Sequence, residues 1–212
     1  LILMMVVDVS GSGLFGTTTA FKKDLLIEIT ATLAFSALQN NDKVGVLLFT
    51  DQIELFIPPK KGKSHILRII RELLEFKPKS QKTDLSFALK YLGNVLKKKA
   101  IVFVLSDFIS EEYLQSLRIV GKKHDLTGIR IYDPKEEQIP NLGFVPILDA
   151  ETGKIETVAT QSKKVRNAYE NYQRERKEYF EESFRKSGCG QISCRVDESY
   201  VKKLLGYFKQ RG

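Results

Sequence analysis

Four apolar runs mark the first two-thirds of the chain: LILMMVV at 1–7, VGVLLF at 44–49, AIVFVL at 100–105 and LTGIRIY at 126–132. The first three carry no alternating polar residues, which predicts strands of a parallel sheet covered by helices on both faces. Between the first two, residues 18–38 space Phe21, Leu25, Ile29, Leu33 and Ala37 four apart, the stripe of a crossover helix. Similar patterns over 65–74, 85–96 and 111–120 complete a βαβα rhythm, so the expected fold class is α/β with a doubly wound, mostly parallel sheet. QIELFIPP, from Gln52, follows the second strand after only Thr50 and Asp51. So short a link permits a hairpin and no parallel crossover, which makes this strand antiparallel and places it at an edge, where its prolines are tolerated.

Further along, residues 143–160 offer two extended pieces around a turn, a hairpin inserted outside the main sheet. A long charged helix is expected over about 163–186, with Val165, Ala168, Tyr172, Tyr179, Phe180 and Phe184 along one side as a packing stripe; a partner-binding or base-stacking surface is the alternative. QISCRV then reads as a last strand and SYVKKLLGYF as a final helix. With no internal repeat and no linker, residues 1–212 are expected to form one domain.

Composition narrows the setting. The longest apolar run covers seven residues, against about 20 for a membrane-spanning helix. It lacks the flanks of a signal peptide. Because the chain opens inside a strand, an N-terminal portion is expected to be missing, and with it any membrane anchor. Two cysteines, Cys189 and Cys194, are too few for a four-cysteine metal site and suit a reducing compartment, so a cytoplasmic location is expected. The net charge of +8 is concentrated: residues 60–99 hold twelve Lys or Arg against three acids.

The candidate chemistry begins where the first strand stops. VVDVSGS ends a buried run in Asp8, followed by Ser10 and Ser12 at alternate positions; VLSDF ends the run at 100–105 in Asp107. In an open α/β sheet, ligands bind beyond the carboxyl ends of the strands where strand order reverses. If the first strand and the 100–105 strand flank that point, two carboxylates meet there and repel unless a cation lies between them. Ser10 and Ser12 can turn hydroxyls toward Asp8, Gly11 and Gly13 allow a tight curl, and Thr83 in SQKTDLSFAL offers a third hydroxyl. Such hard oxygen donors suit Mg2+, with Mn2+ or Ca2+ as competitors. The proposed ligand set is therefore Asp8, Ser10, Ser12, Thr83 and Asp107. Asp84 is expected to cap the helix starting at Leu85 and Asp133 to serve a cap or turn; His65 and His124 are expected at the surface or in packing.

These residues carry a resemblance. DVSGS with Thr83 and Asp107 resembles the metal-ion-dependent adhesion site of von Willebrand factor type A domains, which implies that the hydroxyls bind the ion while the aspartates bind it directly or through water. FIPPKKGKSHILRII, KTDLSFAL, VLSDF, the Asp133–Gly143 pattern, LDAETGK and LGYFKQRG resemble, over nearly the whole chain, the bacterial family called domain of unknown function 58. That resemblance implies a non-enzymatic module whose ion keeps one position open for an acidic residue of another protein; it does not identify that protein, and a MoxR-type AAA+ ATPase, commonly encoded beside members of the family, is the candidate.

Rival classes fit less well. Aspartyl-phosphate enzymes also place an aspartate after the first strand beside Mg2+, but need a carboxylate two residues on; here that position is Ser10, a poor acid or base at neutral pH. No Gly-x-Ser-x-Gly elbow or phosphate-binding Gly-x-x-x-x-Gly-Lys stretch appears. Nucleic-acid binding through residues 60–99 is the other alternative, although that segment has little aromatic interleaving. Its surplus is better suited to steering an acidic protein toward the ion.

Overall fold

In a computed structural model, which describes residues 1–10, 19–148 and 155–211, the chain alternates strands and helices. The strands are β1 (Ile2–Asp8), β2 (Lys43–Phe49), β3 (Ile53–Lys60), β4 (Ile101–Ser106), β5 (Asp125–Tyr132), β6 (Phe144–Leu148), β7 (Ile155–Ala159) and β8 (Gly190–Arg195). The helices are α1 (Thr19–Gln39), α2 (Lys63–Glu75), α3 (Leu85–Val95), α4 (Leu114–Lys123), α5 (Lys163–Lys186) and α6 (Tyr200–Arg211). Six strands form one sheet in the order β3-β2-β1-β4-β5-β8, parallel throughout except for β3, which runs antiparallel to β2 at the edge. β6 and β7 pair antiparallel in a separate two-stranded sheet.

Alternate side chains of the central strands explain the continuous apolar runs. Met5 and Val7 of β1 face a cluster containing Leu25, Ile29 and Leu33 of α1, Ile66 and Ile69 of α2, and Leu204 of α6. Met4 and Val6 face the opposite cluster, built from Leu85 and Leu89 of α3, Leu117 of α4, and Phe180 and Phe184 of α5. Both faces are dry, so neither can be polar. Strand order reverses between β1 and β4: the chain winds from β1 out to β2 and β3, then returns to β4 on the other side of β1.

Two expected elements differ in detail. The helix anticipated from Glu111 begins at Leu114, because the backbone amides of Tyr113 and Leu114 donate to the Tyr179 hydroxyl of α5 (3.0 and 3.2 Å) and Tyr113 is itself buried. A side chain from another helix thus sets where α4 starts. The packing stripe on α5 is also shorter than its periodicity suggests. Phe180 and Phe184 are buried, whereas Ala168 and Tyr172 are exposed, so only the C-terminal half of α5 lies on the sheet. Gly128 of β5 makes that close approach possible: a Cβ there would fall 2.4 Å from Phe184 Cε1.

Candidate functional site

The switch point between β1 and β4 is where the chemistry collects. The parallel register pairs Val7 with Leu105, which sets Asp8 beside Ser106 at the carboxyl ends of the two strands. Ser106 Oγ donates to Asp8 Oδ2 (2.6 Å) and accepts from the Phe108 amide (2.9 Å). The other Asp8 oxygen, Oδ1, accepts from the Ser10 amide (3.0 Å). Thr83 Oγ1 donates to Ser10 Oγ (2.6 Å), joining the loop before α3 to the end of β1 across 73 residues of sequence. Asp8 and Ser10 are both buried.

Asp107 follows directly on Ser106. One of its oxygens accepts from the Ile109 amide (3.0 Å), which orients the carboxylate. The turn is tight: Phe108 has a φ of 61°, a left-handed conformation unusual for a bulky residue and a recurrent mark of functional loops. Packing holds it there, since the Phe108 ring lies against Phe180 (centroids 4.4 Å apart), Phe184 and Tyr113. Ser110 ties the same loop to Thr83 by accepting from the Leu85 amide and donating to the Thr83 carbonyl, while Arg176 of α5 donates to the Ser110 carbonyl. Asp84 caps α3 by accepting from the Phe87 amide. Asp133 accepts from the Lys135 amide, capping a short 3-10 turn at Pro134–Glu136.

The electrostatics follow from this placement. Burial, the nearby Asp107 charge in addition, pushes the Asp8 carboxyl up to about 6, against the stabilising hydrogen bonds from Ser10 and Ser106. An ionised carboxylate is therefore held where it lacks a compensating cation. Glu136 is also raised, by burial first; Lys22, with which it forms an ion pair at the start of α1, opposes the shift, and Asp107 and Asp133 add to it. Among the described residues no group of three or more His, Cys, Asp or Glu is arranged to hold a metal, so any ion here depends on hydroxyl donors. Burial raises the two thiols, Cys189 and Cys194, to about 11, and both are free. Neither offers a ready thiolate.

Of the five residues expected at the site, the structure brings together Asp8, Ser10, Thr83 and Asp107. Ser12 lies outside the described residues, as do Gly11 and Gly13. Sequence reading missed Ser106, the direct neighbour of Asp8. The signal was present in the Ser-Asp pair ending the 100–105 run, but only strand register shows that the serine, rather than Asp107, meets Asp8 side by side. It also missed Lys22 and Glu136, whose pairing joins helix and turn segments far apart in sequence.

Beside these groups opens a cavity of about 430 Å3, with Asp8, Ser10, Ser106 and Asp107 in its wall, together with residues of α1, α2 and the segment after α2. No described helix is long and apolar enough to cross a membrane.

Similar proteins share this plan. A crystallised conserved hypothetical protein BatB from Bacteroides thetaiotaomicron superposes with a TM-score of 0.62 at 14% identity, covering 100% of this chain and 97% of that one. An aerotolerance-related membrane protein from Bacteroides fragilis gives 0.63 at 16% identity, covering 99% of each. The fold is that of the von Willebrand factor A class. An uncharacterized protein of Mycobacterium bovis is 22% identical over 210 residues, covering 98% of this chain; the chain spans 66% of that relative's length, just under two thirds. The model of the family described as protein of unknown function DUF58 matches residues 1–179, and the chain belongs to that family.

Proposed function

We propose that this chain is a non-enzymatic protein-binding module that docks an acidic partner through a divalent cation, Mg2+ in the first instance, held by Asp8, Ser10, Ser12, Thr83 and Asp107. The observation that carries the reading is the buried Asp8 carboxylate with Asp107 nearby and the Ser10 and Thr83 hydroxyls hydrogen-bonded to each other within the same constellation. All are hard oxygen donors, the kind that suits Mg2+, Mn2+ or Ca2+. The bound ion would supply an open coordination position to a carboxylate from outside.

The partner favoured is a MoxR-type AAA+ ATPase, or a protein it acts on, in assembly or maturation. Two free cysteines support a cytoplasmic setting. The basic surplus at residues 60–99 suits attraction of an acidic surface better than a nucleic-acid track. Of its twelve cations, α2 carries three on one face of the sheet, α3 one on the other, Lys97–Lys99 precede β4 at the opposite end from Asp8, and the other five lie at the end of β3 and in the segments flanking α2, with Lys77 and Lys79 at the cavity. Capture of the purified ATPase by the immobilised chain, with and without chelator, tests the reading. Capture that needs Mg2+ and fails with Asp8→Ala supports it; capture unchanged by chelator overturns it. A steeply salt-dependent, tight complex with a labelled oligonucleotide would favour the nucleic-acid alternative.

A further inference from the structure

The cavity beside Asp8 does not belong to the ion alone. Leu26 and Ile27 of α1, Leu73 of α2, Phe76 after it and Ile131 of β5 give it an apolar wall, while the wall also includes Asp8 and Asp107. Its volume of about 430 Å3 lies in the range of ligand sites and exceeds what one coordinated carboxylate needs. Leu73 and Ile131 are buried members of the core cluster, so this wall is preformed. Lys23, Lys77 and Lys79 stand at the same opening, exposed and with no side-chain ion pair among the described residues, although the Lys79 amide donates to Glu54 (3.1 Å).

We propose that this cavity is the second half of the docking site: it takes the apolar side chain of a partner segment in which an aspartate or glutamate is followed by leucine-sized residues, the carboxylate meeting the ion and the lysines holding the acidic flank. The occupant follows from the chemistry of the walls. A pocket with a broad apolar wall, a cationic rim and a polar side where Asp8 and Asp107 stand among serines selects a ligand that is acidic and greasy at once. A wholly acidic segment would leave the apolar wall wet, and a basic one would meet three lysines. The proposal rests on the cation reading above and adds what determines partner choice.

The test uses two peptide amides bearing an uncharged fluorophore, acetyl-Glu-Glu-Asp-Leu-Leu-Gly and acetyl-Glu-Glu-Asp-Ala-Ala-Gly, in polarisation titrations with Mg2+ present. The leucine peptide binds at least tenfold tighter, because each replaced leucine removes about three buried carbons. Phe76→Ser narrows that preference without changing calorimetric Mg2+ binding. The double variant Lys77→Glu/Lys79→Glu, at exposed positions that leave the fold intact, weakens both peptides and flattens their salt dependence. Equal affinity for the two peptides in wild type, or no binding of either, overturns the inference while Mg2+ calorimetry keeps the cation reading standing. Affinity for both peptides that is unchanged by chelator overturns the cation reading, and with it the two-part occupant.

Discussion

The two ends of the central sheet treat their carboxylates in opposite ways. At the amino end, Asp125 of β5 pairs with Arg211 of α6 (2.7 Å), and both side chains are nearly half exposed. At the carboxyl end, Asp8 is buried and receives only neutral donors, the Ser106 hydroxyl and the Ser10 amide, with Asp107 nearby. Neither Asp8 nor Asp107 has an ion pair among the described residues. Asp125 finds a cation on its own chain; among the described residues Asp8 and Asp107 do not. Folding leaves a charge problem at the switch point that a ligand is left to resolve, which is the thermodynamic signature of a binding site.

The largest effect should come from altering that unresolved charge. The folded state holds the Asp8 proton more tightly than the unfolded chain, so metal-free stability falls as pH rises from 3.8 to about 6. Above that range the accumulated penalty is on the order of 3 kcal/mol. Asp8→Asn removes it and should raise the melting temperature in chelator at neutral pH by several degrees, while abolishing stabilisation by Mg2+. Thermal melts with and without chelator check both signs. A variant less stable than wild type in chelator would count against the charge argument.

Next in size is the support that α5 gives the site. Gly128→Ala drives a methyl into Phe184 and should cost about 1–3 kcal/mol in denaturant titration. Because Phe180 and Phe184 brace the left-handed Phe108 next to Asp107, Mg2+ affinity should fall as well. The proton and the ion compete for Asp8, so wild-type Mg2+ affinity should decline by up to tenfold per pH unit below about 6 and level off above it. Calorimetry at stepped pH reads that inflection.

The smallest effect belongs to the opposite end of the sheet. Arg211→Ala breaks an exposed pair and should cost under about 1 kcal/mol, with no change in Mg2+ binding. A change in metal affinity from that substitution would dissolve the contrast between the two ends.

How much of this was legible beforehand divides along physical lines. Unbroken apolar runs at 1–7, 44–49 and 100–105 read as doubly covered strands, and the two-residue link at Thr50 and Asp51 could only reverse the chain, so the parallel strands and the antiparallel edge were readable, while strand order entered only as a condition. The expected meeting of Asp8, Ser10, Thr83 and Asp107 rested on that condition, and on a loop position for Thr83 that strand order does not fix. Ser106 was not readable, because one residue of register decides which of two adjacent side chains faces β1. The start of α4 was missed for a related reason: its amides are capped by Tyr179, 65 and 66 residues downstream, and no local signal encodes a cap from another helix. The cavity depends on how α1 and α2 lean on the sheet, which side-chain periodicity alone does not specify.

Asp8 is a ligand awaiting a cation, and calorimetric titration of Mg2+ and Mn2+ into wild type and Asp8→Ala puts that to the test. Wild type should bind saturably at one site and the variant not at all. Equal heats from the two proteins, or no heat from wild type at neutral pH, would contradict it.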